Sequence, residues 1–120
     1  VRAEDSANGI TNISEFGSAA NPKEFPALLE MSTYHQIMDG TAYPAIMLVH
    51  GMNDPRVDVW HSGKTAARLQ AASSSKKPVL LRLDMQAGHG MGSTATQRNA
   101  MLADIYVFLL WQMGKASLKE

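Results

Sequence analysis

Pro44-Ala45-Ile46-Met47-Leu48-Val49-His50 is an unbroken apolar run, and Pro78-Val79-Leu80-Leu81-Arg82-Leu83-Asp84 repeats the pattern downstream. Continuous apolarity, without the alternation of a half-exposed strand, predicts strands covered on both faces, as in a parallel sheet. Between the runs, Asp58 is placed to cap a helix from about Val59 to Ala72, and Ser73-Ser74-Ser75-Lys76-Lys77 reads as a solvated loop. After the second run, Thr94-Ala95-Thr96-Gln97 has the form of a capping box and opens a helix to about Met113. Met101, Ile105, Phe108 and Gln112 follow one stripe of that helix, with Leu102, Tyr106 and Leu109 beside it, which predicts a broad buried face. Upstream, Asn21-Pro22 predicts the cap and first turn of a short helix ending near Met31, with Phe25, Leu28 and Leu29 on its apolar side. Asn8-Gly9 and Asp39-Gly40 mark turns.

Helix, strand, helix, strand, helix in that order calls for a parallel pair joined by a right-handed crossover. The expected fold class is α/β. Two parallel strands leave both faces and both edges to be covered, so the pattern reads as the C-terminal portion of a larger sheet, incomplete as an isolated domain. Within it, residues 1–21 are expected to be an irregular connection, 22–113 the α/β portion and 114–120 a tail.

Composition narrows the function classes. Eleven basic and eleven acidic residues cancel, so no net field draws the chain to nucleic acid or to an anionic membrane. The absence of cysteine excludes disulfides and thiolate metal sites but leaves the compartment open. The apolar run Ile105 to Trp111 is too short to span a bilayer, and Val1-Arg2-Ala3-Glu4-Asp5 does not open a signal peptide. The expectation is a soluble protein of the cytoplasm or periplasm, and the missing first methionine hints at processing or truncation. His35, His50, His61 and His89 form neither a His-x-x-x-His nor a His-Glu-x-x-His pattern, so no metal or other cofactor is expected. The eight methionines read as core filler.

Two loops carry chemistry. Ala87-Gly88-His89-Gly90 follows the second strand and holds a histidine between glycines, which allow close approach and unusual backbone angles but give a core histidine nothing to pack against. An imidazole presented that way suits proton transfer near neutral pH. Gly51-Met52-Asn53-Asp54-Pro55-Arg56-Val57 follows the first strand. There Asp54 reads equally as a turn-capping residue of Asn-Asp-Pro or as a carboxylate that orients His89. Asp58 and Asp84 are rivals, the first better used as a helix cap and the second set back from the loop. Arg56 is either a solvated charge or a fork of donors for a substrate carbonyl or carboxylate. A carboxylate and then a histidine on successive strand ends is the second half of a Ser…Asp…His order, and the carboxyl ends of parallel strands share one rim. No Gly-x-Ser-x-Gly elbow occurs, and Ser6, Ser14, Ser18 and Ser32 lack both elbow glycines and a preceding strand.

Tyr43 through Val57, His61-Ser62, Lys64, Leu69-Gln70 and Ala87-Gly88-His89-Gly90 together resemble the C-terminal catalytic region of the prolyl oligopeptidase family of serine peptidases. The resemblance covers about residues 40–113, with a weaker echo in Asn12-Ile13-Ser14-Glu15-Phe16-Gly17. It implies an α/β-hydrolase fold, with Asp54 and His89 as the triad aspartate and histidine and Arg56 matching an arginine that helps bind peptide. It also implies peptide substrates, often cut after proline, a serine and oxyanion donors upstream of residue 1, and a β-propeller over the site. A piece lacking the serine is expected to be inactive alone. The alternative is a non-enzymatic module built on a hydrolase half-fold that binds a partner or forms a homo-oligomer through an exposed sheet edge. A more remote one is a pseudoenzyme that keeps the histidine loop for shape.

Overall fold

The computed structural model describes residues 3–6, 9–89 and 94–115. The segment read as an irregular connection contains two single 3-10 turns, Ala3–Asp5 and Ile10–Asn12, and a one-turn helix α1, Ile13–Phe16. Glu4 and Glu24 tie it down by accepting from Ser18 and Ala19. Helix α2 spans Phe25–Met31 and starts later than Asn21-Pro22 suggested. Asn21 instead builds a turn, its carbonyl accepting from Glu24 and Phe25 and its side chain from Lys23. The proline of the first helical turn is Pro26, whose missing N–H costs nothing there. A further single turn, α3 (Thr33–Gln36), had no signal in the pattern of apolar residues.

Strand β1 is Ile46–Gly51 and strand β2 is Val79–Asp84. They pair in parallel from Ile46 opposite Val79 to Gly51 opposite Asp84. Helix α4, Trp60–Ala72, makes the crossover between them. Its Leu69 and Ala72 form a buried cluster with Ile37 and Val79, against which Tyr43, Ile46 and Leu48 pack. Burying a Leu or Val side chain in this way contributes about 2 kcal/mol. The α4 start differs in detail from the expectation. Val59 occupies the cap position with no side-chain bond, and Asp58 contributes only its carbonyl, to His61 N–H.

Side chains alternate across a strand. Ile46, Leu48 and His50 therefore face α4 with Val79, Leu81 and Leu83, while Arg82 reaches the other side and bonds Asp104 of helix α5 (Ala95–Gln112) at 3.0 Å. The capping box stands as expected, with Thr94 Oγ1 accepting from Gln97 N–H and Gln97 Oε1 accepting from Thr94 N–H. The broad buried face does not. Phe108 is buried, but Leu102, Tyr106 and Leu109 are 43%, 60% and 47% exposed. Strands about 4.8 Å apart offer a two-strand ledge too narrow for an apolar surface that wraps half of a helix. Val49 and Leu80 on the strands are exposed for the same reason. The Cα radius of gyration, 16.9 Å, exceeds the roughly 13–14 Å of a compact chain of this length.

Candidate active site

Because β1 and β2 run parallel and in register to Gly51 and Asp84, their following loops emerge at one level. Backbone bonds stitch the loops together: Met52 N–H donates to the Asp84 carbonyl at 2.8 Å and Asn53 N–H to the Ala87 carbonyl at 3.1 Å. The Asn53 side-chain amide donates to Met85 O at 3.0 Å. Gly51 lies where they touch. A Cβ there would collide with the Gly88 carbonyl oxygen and stand 2.6 Å from that of Ala87, so only glycine permits this approach.

Asp54 sits at the tip of the first loop with its side chain only 6% exposed. Its Oδ1 accepts from Arg56 N–H at 2.8 Å and Val57 N–H at 2.9 Å, which closes the loop as an Asx turn. His89 Nδ1 lies 3.0 Å from Oδ1 and 2.9 Å from Oδ2. Burial acts to raise the Asp54 carboxyl, but the two backbone donors and His89 outweigh it and hold it at about 2. Asp54 is thus an ionised acceptor at neutral pH, which requires the proton of a neutral His89 to reside on Nδ1. That leaves Nε2 as the acceptor nitrogen, on a side chain 43% exposed.

Of the three aspartates the sequence offered, Asp54 alone meets His89. Asp84 stands on the strand, as read, yet it also shapes the start of the histidine loop. It ends β2, and its Oδ1 accepts from Gln86 and Ala87 N–H, both at 3.0 Å, shaping the turn that leads to His89. Those backbone donors, Gln86 first, hold its carboxyl below the ordinary range. Arg56 is exposed and donates its backbone N–H to Asp54; Gly90, the second glycine flanking the histidine, lies outside the described residues.

The remaining histidines scatter. His35 bonds Ser32, and His61 stacks on Trp60 with ring centroids 3.7 Å apart, its burial lowering its proton affinity. His50 is the residue the sequence reading passed over. Its Nδ1 lies 2.6 Å from Ser62 Oγ, its Nε2 2.9 Å from the Val57 carbonyl and 3.4 Å from Asp54 Oδ2. The available signal was period-two alternation, which turns a strand-end histidine toward the crossover helix.

The profile of the prolyl oligopeptidase family matches residues 3–116, nearly the whole chain. The chain belongs to the prolyl oligopeptidase family. It is 41% identical over 106 residues to the prolyl endopeptidase of Elizabethkingia meningoseptica, a match covering 88% of this chain and 15% of that protein. Similarity extends to the dipeptidyl aminopeptidase BI of Pseudoxanthomonas mexicana, 34% identical over 86% of this chain and 14% of that protein. Among solved structures, a prolyl endopeptidase superposes with a TM-score of 0.90 at 31% identity, over 97% of this chain and 17% of that one. Prolyl oligopeptidase B of Galerina marginata, bound to a hydrolysis and macrocyclization substrate, superposes at 0.86 with 29% identity, over 99% of this chain and 17% of that one. The fold is that of an α/β-hydrolase catalytic domain, and the chain spans about one-seventh to one-sixth of the relatives it matches. Among the described residues no helix is long and apolar enough to cross a membrane.

Proposed function

We propose that this chain supplies the aspartate and histidine of a Ser-His-Asp triad, within a longer oligopeptidase whose serine comes from upstream sequence. The observation that carries the reading is the paired contact of His89 Nδ1 with the buried, ionised Asp54, which makes Nε2 the acceptor nitrogen of the ring. In the assembled site Nε2 takes the proton of the serine hydroxyl as that oxygen attacks the peptide carbonyl. Asp54 stabilises the resulting imidazolium, and Nε2 then returns the proton to the leaving amine. Arg56, exposed on the same loop, binds a peptide carbonyl or terminal carboxylate. The substrates are short peptides, including those cut after proline, and a β-propeller screens the site. Structures of Galerina marginata prolyl oligopeptidase B have been solved for serine, aspartate and histidine variants, and its replaced serine precedes its replaced aspartate by more residues than precede Asp54 here. That spacing supports a nucleophile outside these 120 residues.

The chain alone is then inactive, since loss of the serine from such a triad costs roughly a million-fold in turnover. Labelling with a serine-reactive fluorophosphonate tests the assignment. The longer parent should label, its His89→Ala variant should not, and the isolated chain should stay blank. Stoichiometric labelling of the isolated chain would overturn the division of the triad.

A second reading is a non-catalytic module that pairs with another copy or a partner chain. It draws support from the apolar side of α5, where Leu102, Tyr106, Leu109 and Leu110 are exposed. Failure of the parent to label, together with a concentration-dependent dimer of this chain in sedimentation, would favour it.

A further inference from the structure

The loop that carries Asp54 has little packing of its own. Met52, Asn53, Pro55, Arg56, Val57 and Asp58 are all exposed, yet Asp54 must hold one orientation to meet His89. What reaches this loop from the folded interior is His50, the last side chain of β1 before Gly51, whose ring is 9% exposed. The Val57 carbonyl only accepts, so the ring proton at 2.9 Å belongs to His50 Nε2. The neutral ring then accepts at Nδ1 from the Ser62 hydroxyl, 2.6 Å away on α4. Val57 is also the residue whose N–H binds Asp54 Oδ1. One peptide segment is thus gripped from below at its carbonyl and, through its amide, grips the carboxylate above.

From this arrangement we propose that His50 is the positioning residue of the site. Held by Ser62, it fixes the Val57 end of the Asx turn and so aims Asp54 at His89. This rests on the assignment of Asp54 and His89 as partners, and His50 itself touches no reacting atom. Its Nε2 also lies 3.4 Å from Asp54 Oδ2, so the two side chains are close neighbours.

The test uses the 120-residue chain labelled with 15N and 13C. In the unsubstituted chain, His50 should show the Nε2–H tautomer, and His89 a protected Nδ1 proton coupled to Asp54. His50→Gln keeps a donor near the old Nε2 and should retain that protection. His50→Asn keeps only a group near the old Nδ1, and it should lose protection about five- to ten-fold, the size of one lost hydrogen bond. His50→Phe should lose as much while preserving volume, and Asp54 should then titrate closer to the ordinary carboxylate range. An Nδ1–H tautomer at His50, equal protection in the Gln and Asn variants, or protection greater in Asn than in Gln would overturn the proposal. The last two comparisons stand even if the Phe variant fails to fold. Absence of the His89–Asp54 coupling in the unsubstituted chain would instead remove the triad assignment, while the His50 tautomer and its bond to Val57 are read separately.

Discussion

The two rim loops use the same local device for different ends. Asp54 and Asp84 each accept backbone N–H groups from the second and third residues that follow, and each is held more acidic than a free aspartate. They part at the remaining lone pairs. Asp54 turns them to the His89 imidazole, whereas Asp84 turns Oδ2 toward Arg82, 3.7 Å away. Arg82 in turn bonds Asp104 of α5. One carboxylate builds a turn and presents a proton acceptor; the other builds a turn and anchors a helix. A low carboxyl affinity for protons therefore does not distinguish an aspartate paired with histidine from one paired with arginine. The partner delivered by the neighbouring loop does.

The largest effect that separates the two loops should appear in turnover of the parent enzyme. Asp54→Asn places a donor against Nδ1, favours the wrong imidazole tautomer and should cost about 10⁴-fold in kcat. Asp84→Asn keeps an oxygen that accepts from Gln86 and Ala87 and should leave kcat within about ten-fold, the scale of losing a single partly exposed charge contact. Comparable losses in both variants would erase the distinction between the loops. Next in size is Gly51→Val, which forces a side chain into two carbonyl oxygens that cannot step aside. Overpacking of this kind costs about 3 kcal/mol, read as a lower urea midpoint of the isolated chain. It should also break the His89–Asp54 contact, because Gly51 is where the loops touch.

How much of this was readable beforehand follows from which signals are local. Both strands, the crossover helix and the capping box at Thr94 announce themselves in short stretches, through continuous apolarity and side-chain-to-backbone bonding. Asp54 and His89 could be paired because two strand ends of one parallel sheet share a rim. His50 could not be singled out, since its role depends on Ser62 and Val57 converging from two other elements. Asp84 was read correctly as a strand residue, but its part in shaping the next turn was not legible, because it depends on where the Gln86 and Ala87 N–H groups fall after the strand. The apolar side of α5 is amphipathic in sequence, and burial depends on how much sheet lies opposite. Periodicity names the face that seeks cover, never the amount of cover.

A smaller perturbation probes how the histidine loop is anchored at its far end. Gln97 of the capping box donates to the Gln86 side chain at 2.8 Å, tying the first turn of α5 back to the loop after β2. Thr94→Ala removes the acceptor for Gln97 N–H and should cost about 1 kcal/mol of stability. The corresponding loop around Asp54 makes no use of this cap. A loss of protection at His89 Nδ1 without any change at the Val57 amide would show that the two loops are anchored independently.

The smallest contrast is in acid. A carboxyl whose folded value lies below its unfolded one adds stability that is complete above the unfolded value and disappears as pH falls through the folded value. For Asp54 that window runs from its ordinary value, 3.8, down to about 2. Asp84 is shifted in the same direction, so both loops should weaken as pH falls below about 4. The contributions can be separated, because Asp54 owes part of its acidity to His89 while Asp84 owes none. Urea midpoints at pH 5 and pH 2.5 should fall less in Asp54→Asn than in the unsubstituted chain. His89→Gln should also reduce the fall, by a smaller amount, since the Arg56 and Val57 donors remain. If His89→Gln left the acid dependence unchanged, the carboxylate would be held by its own turn alone. The two aspartates would then be equivalent in the one property that geometry says divides them.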